Sequence, residues 1–174
     1  MITLLILLSL AILLAYVSYT LLSHKSVPSS ISATYYRLRH KSLFSVAMFS
    51  SAALLMPAML EIVPEDVEFL AFLGCGGMLF VAVSPHFKGE TVEAKIHAVG
   101  ATVLLICSQL LVALLTPYLL FAWGFLIAYL VIRFKRAEEI VSIKTFLSKS
   151  KALFWTEIVA ILTTYTTLLW TLYI

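Results

Sequence analysis

The segment VEAKIHAVGATVLLICSQLLVALLTPYLLFAWGFLIAYLVIRFK, residues 92–135, sets the number of membrane crossings. As one helix its more than 40 residues would extend over roughly 60 Å, about twice the thickness of a bilayer's hydrocarbon core. Thr116-Pro117 divides it. Proline at the first position after a threonine cap occupies a site whose N–H is unused in any helix, so the pair reads as a tight turn between two crossings.

The same scan along the rest of the chain finds apolar runs at residues 2–22, 43–62, 67–84, 92–115, 118–134 and 152–173. Of 174 residues 62% are hydrophobic and 12% charged, and the mean hydropathy is +1.05, far above the soluble range. Little chain remains outside the spans, which leaves no room for a soluble catalytic or ligand-binding domain. The expected fold class is all-α: a polytopic membrane bundle of six transmembrane helices in a single integral membrane domain, residues 1–174.

Orientation follows from Lys and Arg, which are retained on the cytoplasmic side. The first connection holds Lys25, Arg37, Arg39 and Lys41, and the third connection with its flank holds Lys88 and Lys95. The fifth connection and its flanks hold Arg133, Lys135, Arg136, Lys144, Lys149 and Lys151. All 12 basic residues therefore fall on one side. The second connection, residues 61–68, carries only acids, and the fourth is the uncharged Thr-Pro turn. Both termini are expected on the non-cytoplasmic side, and the cytoplasmic or plasma membrane is the expected location. The first apolar run lacks a basic leader and a small-x-small cleavage site, so it is expected to be a retained span.

Ionisable residues within spans are candidates for chemistry, because a charge near a helix centre costs ~2.5–3.5 kcal/mol on insertion scales. Glu157 lies about two turns inside the sixth span, and Thr164 and Thr171 share its face. That face is expected to point inward, lining a water path in a transporter or channel, or pairing Glu157 with Arg133 or a nearby Lys. In the fourth span His97, Ala101, Leu104 and Ser108 share a face beside Gly100, with Glu93 one turn before the histidine. Glu93, His97 and Glu157 can converge near the inner leaflet as catalytic acid and base, with His86 as a fourth member. Such a set would suit zinc or another transition metal, although no His-x-x-x-His spacing is present. The alternative is that Glu93 complements the helix dipole and His97 bonds between helices, with no cofactor.

Gly74-Cys75-Gly76-Gly77 lacks the Lys-Ser/Thr of a phosphate loop and lies in an apolar run. Ala71, Gly74 and Cys75 instead present a flat face for a neighbouring helix, and Cys75 and Cys107 are expected as free buried thiols. Pro57 is expected to kink the second span, and Trp123, Trp155 and Trp170 fall mostly near span ends. Residues 135–151 mix apolar residues such as Ile140 and Phe146 with charges, in a spacing that suits a helix lying along the membrane surface. No internal repeat links the first three spans to the last three, which argues against an inverted-repeat transporter. The first connection is dense in hydroxyls and then basic, so Ser32, Arg37, Arg39 and Lys41 are the candidates for lipid or anion contact.

Two short patterns carry a resemblance: Pro28-Ser29-Ser30-Ile31-Ser32 after the first span, and His97-Ala98-Val99-Gly100-Ala101 near the start of the fourth, following a Gly-rich third span. Together they resemble the six-span autophagy-modulator and GPI-lipid-remodelling membrane proteins. This chain has one residue more than that family's Pro-x-Ile-Ser, and the family's loop is drawn on the side opposite to the charge-based orientation. The resemblance implies a lipid-related role and transfers no catalytic residue.

The leading expectation is a non-catalytic membrane subunit that contacts lipids, other membrane proteins or its own copies through its basic face, with no nucleic-acid partner. A small membrane enzyme acting on a lipid headgroup, and a transporter or channel, are the alternatives.

Overall fold

The computed structural model describes residues 1–136 and 142–174, and the described residues form seven α-helices and no strand. The six long ones are α1 (Ile2–His24), α2 (Ser42–Ile62), α3 (Glu68–Val83), α4 (Val92–Leu115), α5 (Phe121–Lys135) and α7 (Ala152–Tyr173). Six helical segments, among them Glu65–Val83 and Pro117–Lys135, are long and apolar enough to cross a membrane. They match the six apolar runs to within a few residues. The protein is thus an all-helical integral membrane bundle.

Local chemistry sets the boundaries. Thr91 caps α4 by accepting the Ala94 N–H at 3.1 Å, and Glu93 adds an acid to the positive end of that helix. The α2 helix ends at Val63-Pro64, where proline cannot continue the ladder. The Thr116-Pro117 turn opens a short 3-10 segment, Pro117–Leu120, so α5 itself starts three residues later than the run at 118–134 suggests. Pro57 is accommodated within α2, which runs through it from Ser42 to Ile62. Between α5 and α7 the short helix α6 (Ile143–Lys149) is capped by Ser142 on the Thr145 N–H. Phe146 of α6 meets Phe134 edge-on at 5.2 Å, while Ile140 lies outside the described residues.

Consecutive helices α1 to α4 pack in order, and α7 closes the ring by touching α4, α1 and α2. The α5 helix stands outside the ring against α7, and Leu126 is its one buried residue. Lipid tails are as apolar as leucine, so such helices are held by close packing and interhelical hydrogen bonds rather than by hydrophobic burial. The closest packing is between α3 and α4, where a Cβ on Gly77 would stand 2.5 Å from the Gly100 carbonyl oxygen and 2.8 Å from the Leu104 nitrogen. The flat surface at this crossing is therefore centred on Gly77, one turn beyond Gly74, whose added Cβ would meet Cys107 at an ordinary 3.6 Å. Ala71 and Cys75 are buried, with the Cys75 thiol 3.7 Å from the Met59 sulfur of α2; both cysteines are free.

Polar contacts complete the ring. Ser9 and Ser51 each donate to the other's carbonyl, at 2.9 and 3.2 Å, which ties α1 to α2. With the Ser9 proton committed to that carbonyl, the Tyr165 hydroxyl of α7 donates to Ser9 Oγ at 2.5 Å. Thr116 and Thr167 join their hydroxyls at one end of the bundle. Among the described residues, every buried side-chain nitrogen or oxygen has a partner, as a medium without water requires.

Candidate functional site: the docked first connection

The two ends of the bundle differ. At one, Thr3 near the amino terminus meets the Tyr173 hydroxyl near the carboxyl terminus at 3.2 Å. At the other, the first connection, residues 25–41, lies across α4, α7 and the third connection. Ser29 accepts the Phe154 N–H through its carbonyl at 3.1 Å. Tyr35 bonds His86 Nε2 through its hydroxyl at 2.9 Å, and the Tyr36 hydroxyl accepts the Lys88 N–H at 3.0 Å. The basic first and third connections and the start of α7 thus form one end of the molecule.

Within this end a 3-10 turn, Ser32–Tyr36, forms the docked part of the first connection. Its internal bonds run from the Ala33 N–H to Ser30 Oγ at 3.0 Å and from the Thr34 hydroxyl to the Ile31 carbonyl at 2.6 Å. The Tyr16 hydroxyl of α1 then donates to Thr34, which has no second proton to give. Arg37 is turned back onto Ser26, with Nη1 3.0 Å from its carbonyl oxygen and 3.1 Å from its hydroxyl.

Glu157 and His97 reach neighbouring residues of this turn. A Glu157 carboxylate oxygen accepts the N–H of Ile31, the residue that opens the turn and whose N–H has no helical partner. The partner of this intramembrane acid is therefore a backbone donor of the first connection, where the sequence suggested Arg133 or a lysine. His97 is buried, and its Nδ1 lies 2.7 Å from the Ser84 carbonyl oxygen, which places the ring proton there. Nε2 then accepts the Ser32 hydroxyl at 3.0 Å. The ring stacks on Phe87 at 5.1 Å and on Phe44 at 6.4 Å. Glu93 points elsewhere, accepting the His86 N–H at 3.2 Å.

Glu93, His97 and Glu157 thus come to one end of the bundle, but each is bonded to a connecting segment. Among the described residues, no three His, Cys, Asp or Glu side chains are placed to share a metal ion. Of the candidates for lipid or anion contact, Ser32 is bonded to His97 and Arg37 to Ser26. Arg39 and Lys41 are exposed, with the Lys41 ammonium 5.5 Å from the Tyr35 ring centre. The Lys88 ammonium lies 4.3 Å over Tyr36.

Midway along the bundle stands a polar residue that the sequence reading passed over. Gln109 of α4 accepts from the Trp123 indole N–H of α5 at 2.9 Å and from the Thr163 hydroxyl of α7 at 3.1 Å. Its amide nitrogen reaches Thr164 Oγ1 at 3.3 Å and the Ala160 carbonyl at 3.4 Å. Trp123 therefore faces inward rather than serving as an interfacial anchor. Thr164 lies on the inward face of α7, as expected of the stripe with Glu157, and its hydroxyl takes part in this junction. A lone amide within a long apolar run was the available signal.

Comparison of the chain with protein-family models, with curated proteins and with solved structures gave no match.

Proposed function

We propose that this protein is a non-catalytic membrane subunit whose basic end engages anionic lipid headgroups. The observation that carries this reading is the docked first connection. Glu157, His97 and the third connection hold a loop bearing Arg39 and Lys41 against the bundle, beside Lys88. An ordered array of cations at the level of the headgroups is a surface for phosphate, each cation contributing about 1 kcal/mol near an anionic leaflet. The candidate acid and base are also committed to holding this loop: both ring nitrogens of His97 are bonded, and Glu157 caps Ile31. These bonds give both side chains a structural role in holding the loop, which is what the non-catalytic reading requires.

The test is retention of dioleoyl phosphatidylglycerol by the full chain, measured by native mass spectrometry from detergent. Replacing Arg37, Arg39 and Lys41 by Gln removes three cations, and about 3 kcal/mol corresponds to a loss on the order of a hundredfold. Most of that loss should come from Arg39 and Lys41, because Arg37 is already bonded to Ser26. Retention unchanged in the triple variant would remove the basis of the reading.

A further inference from the structure

On the outer flank of α2 and α3, at the basic end, lies an open groove of about 690 Å³. Val46 and Phe49 of α2 and Val83 of α3 form its apolar walls, and each is more than half exposed. His86 and Glu93 stand at the end formed by the third connection and the start of α4. The volume lies within the range of about 300–1,000 Å³ typical of small-molecule sites. Because the walls belong to membrane-spanning helices, the groove opens sideways into the bilayer.

The geometry points to a site for one phospholipid with a primary ammonium headgroup, an ethanolamine lipid. Its acyl chain would lie on Val46, Phe49 and Val83. Hydrocarbon alone would leave the polar end unmatched: Glu93 is the charged residue of the lining, and Lys41 and Lys88 lie outside it, one tyrosine away from His86. Glu93 supplies a carboxylate. Just outside the lining, Lys41 and Lys88 are each held over a tyrosine that packs against the His86 ring, with Tyr35 at 4.9 Å and Tyr36 at 6.4 Å, so a headgroup that extends past His86 would meet them. A zwitterion complements this arrangement, its phosphate toward the lysines and its ammonium toward Glu93. A choline headgroup has no N–H to donate to the carboxylate, and a glycerol headgroup has no cation to pair with it. This inference shares with the reading above only that the basic end of the protein meets lipid, and it adds a separate place and a different lipid class.

The experiment is native mass spectrometry of the full chain with dioleoyl phosphatidylethanolamine, phosphatidylcholine or phosphatidylglycerol added separately. One ethanolamine lipid should be retained per chain, roughly tenfold more tightly than the choline lipid, the size expected for one charge-assisted hydrogen bond. Glu93→Gln should lower ethanolamine retention by a similar factor. Val83→Trp, a change at an exposed position that fills the groove without touching the core, should abolish it. Equal retention of all three lipids, or unchanged retention in Val83→Trp, would overturn the site. The Arg37→Gln, Arg39→Gln double variant separates the two ideas. It should keep the ethanolamine lipid while weakening phosphatidylglycerol retention about fivefold, mainly through Arg39, and an equal weakening of both would assign the binding to the basic surface and overturn the groove. Retention of both would leave the groove standing and count against the anionic-headgroup reading.

Discussion

Replacing Gly77 by alanine should force α3 and α4 apart. The new Cβ would stand 2.5 Å from the Gly100 carbonyl oxygen, 2.8 Å from the Leu104 nitrogen and 3.3 Å from the Leu104 Cα, whereas ordinary contact begins near 3.4 Å. All three obstacles are backbone atoms of α4, so no side chain can rotate to make room. Relief requires a separation of about 1 Å between two helices packed along their length, and a gap of that size forfeits roughly a quarter to a half of each affected dispersion contact. Overpacked substitutions of this kind cost about 1–3 kcal/mol. At about 2–4 °C per kcal/mol for a chain of this size, thermal unfolding followed by far-UV circular dichroism in detergent should shift down by roughly 2–12 °C. Gly76→Ala is the matched control: nothing lies within 4 Å of its added Cβ, and alanine is the better helix former by about 1 kcal/mol. Gly100→Ala should behave like Gly77→Ala, because its Cβ would meet Phe80 Cβ at 2.7 Å and the Gly77 carbonyl at 2.8 Å. The double variant should cost less than the sum of the singles, since both act through the same separation. If Gly77→Ala melts with Gly76→Ala under the same scan, the close crossing of α3 and α4 is wrong.

Two further outcomes are expected from the polar contacts. Gln109→Leu removes the acceptor of the half-buried Trp123 indole and should destabilise the bundle by about 1–3 kcal/mol, the cost of leaving a donor unpaired in apolar surroundings. It should also move the Trp123 indole resonance in a proton–nitrogen spectrum, and an unmoved resonance would contradict the junction. Glu157→Gln keeps an oxygen that can accept the Ile31 N–H and should leave hydrogen exchange of the Ser32–Tyr36 turn within a few-fold of wild type, whereas Glu157→Ala should accelerate it on the order of tenfold or more. Equal exchange in the two variants would show that Glu157 does not hold the turn.

The distribution of basic residues illustrates how far a linear reading reaches. Lys25, Arg37, Arg39, Lys41 and Lys88 lie between different pairs of spans, and alternation of the crossings alone puts them at one end. The bonds from Tyr35 to His86 and from Tyr36 to Lys88 show those connections joined. Glu157 was legible as a candidate because an acid in an apolar run is costly, yet its partner lies 126 residues away on a backbone N–H that carries no side-chain signature. Gln109 also lies in an apolar run, but an amide carries no charge and costs less to insert than a carboxylate, so it stands out only through the convergence of Trp123 and Thr163 on it.

The sequence by itself determined the solvent, the six crossings and the chain positions of the connections. Each of these depends on local quantities: the transfer cost of successive side chains, the length needed to span hydrocarbon, and a proline after a threonine. Only the tertiary structure decided that Gly77 rather than Gly74 marks the closest crossing, that α7 closes the ring while α5 stands outside it, and that His97 and Glu157 hold adjacent residues of one loop. In lipid any apolar face is acceptable to the surroundings, so hydropathy does not say which face meets which helix. Steric fit and paired hydrogen-bonding groups make that choice, and they exist only once distant segments have met.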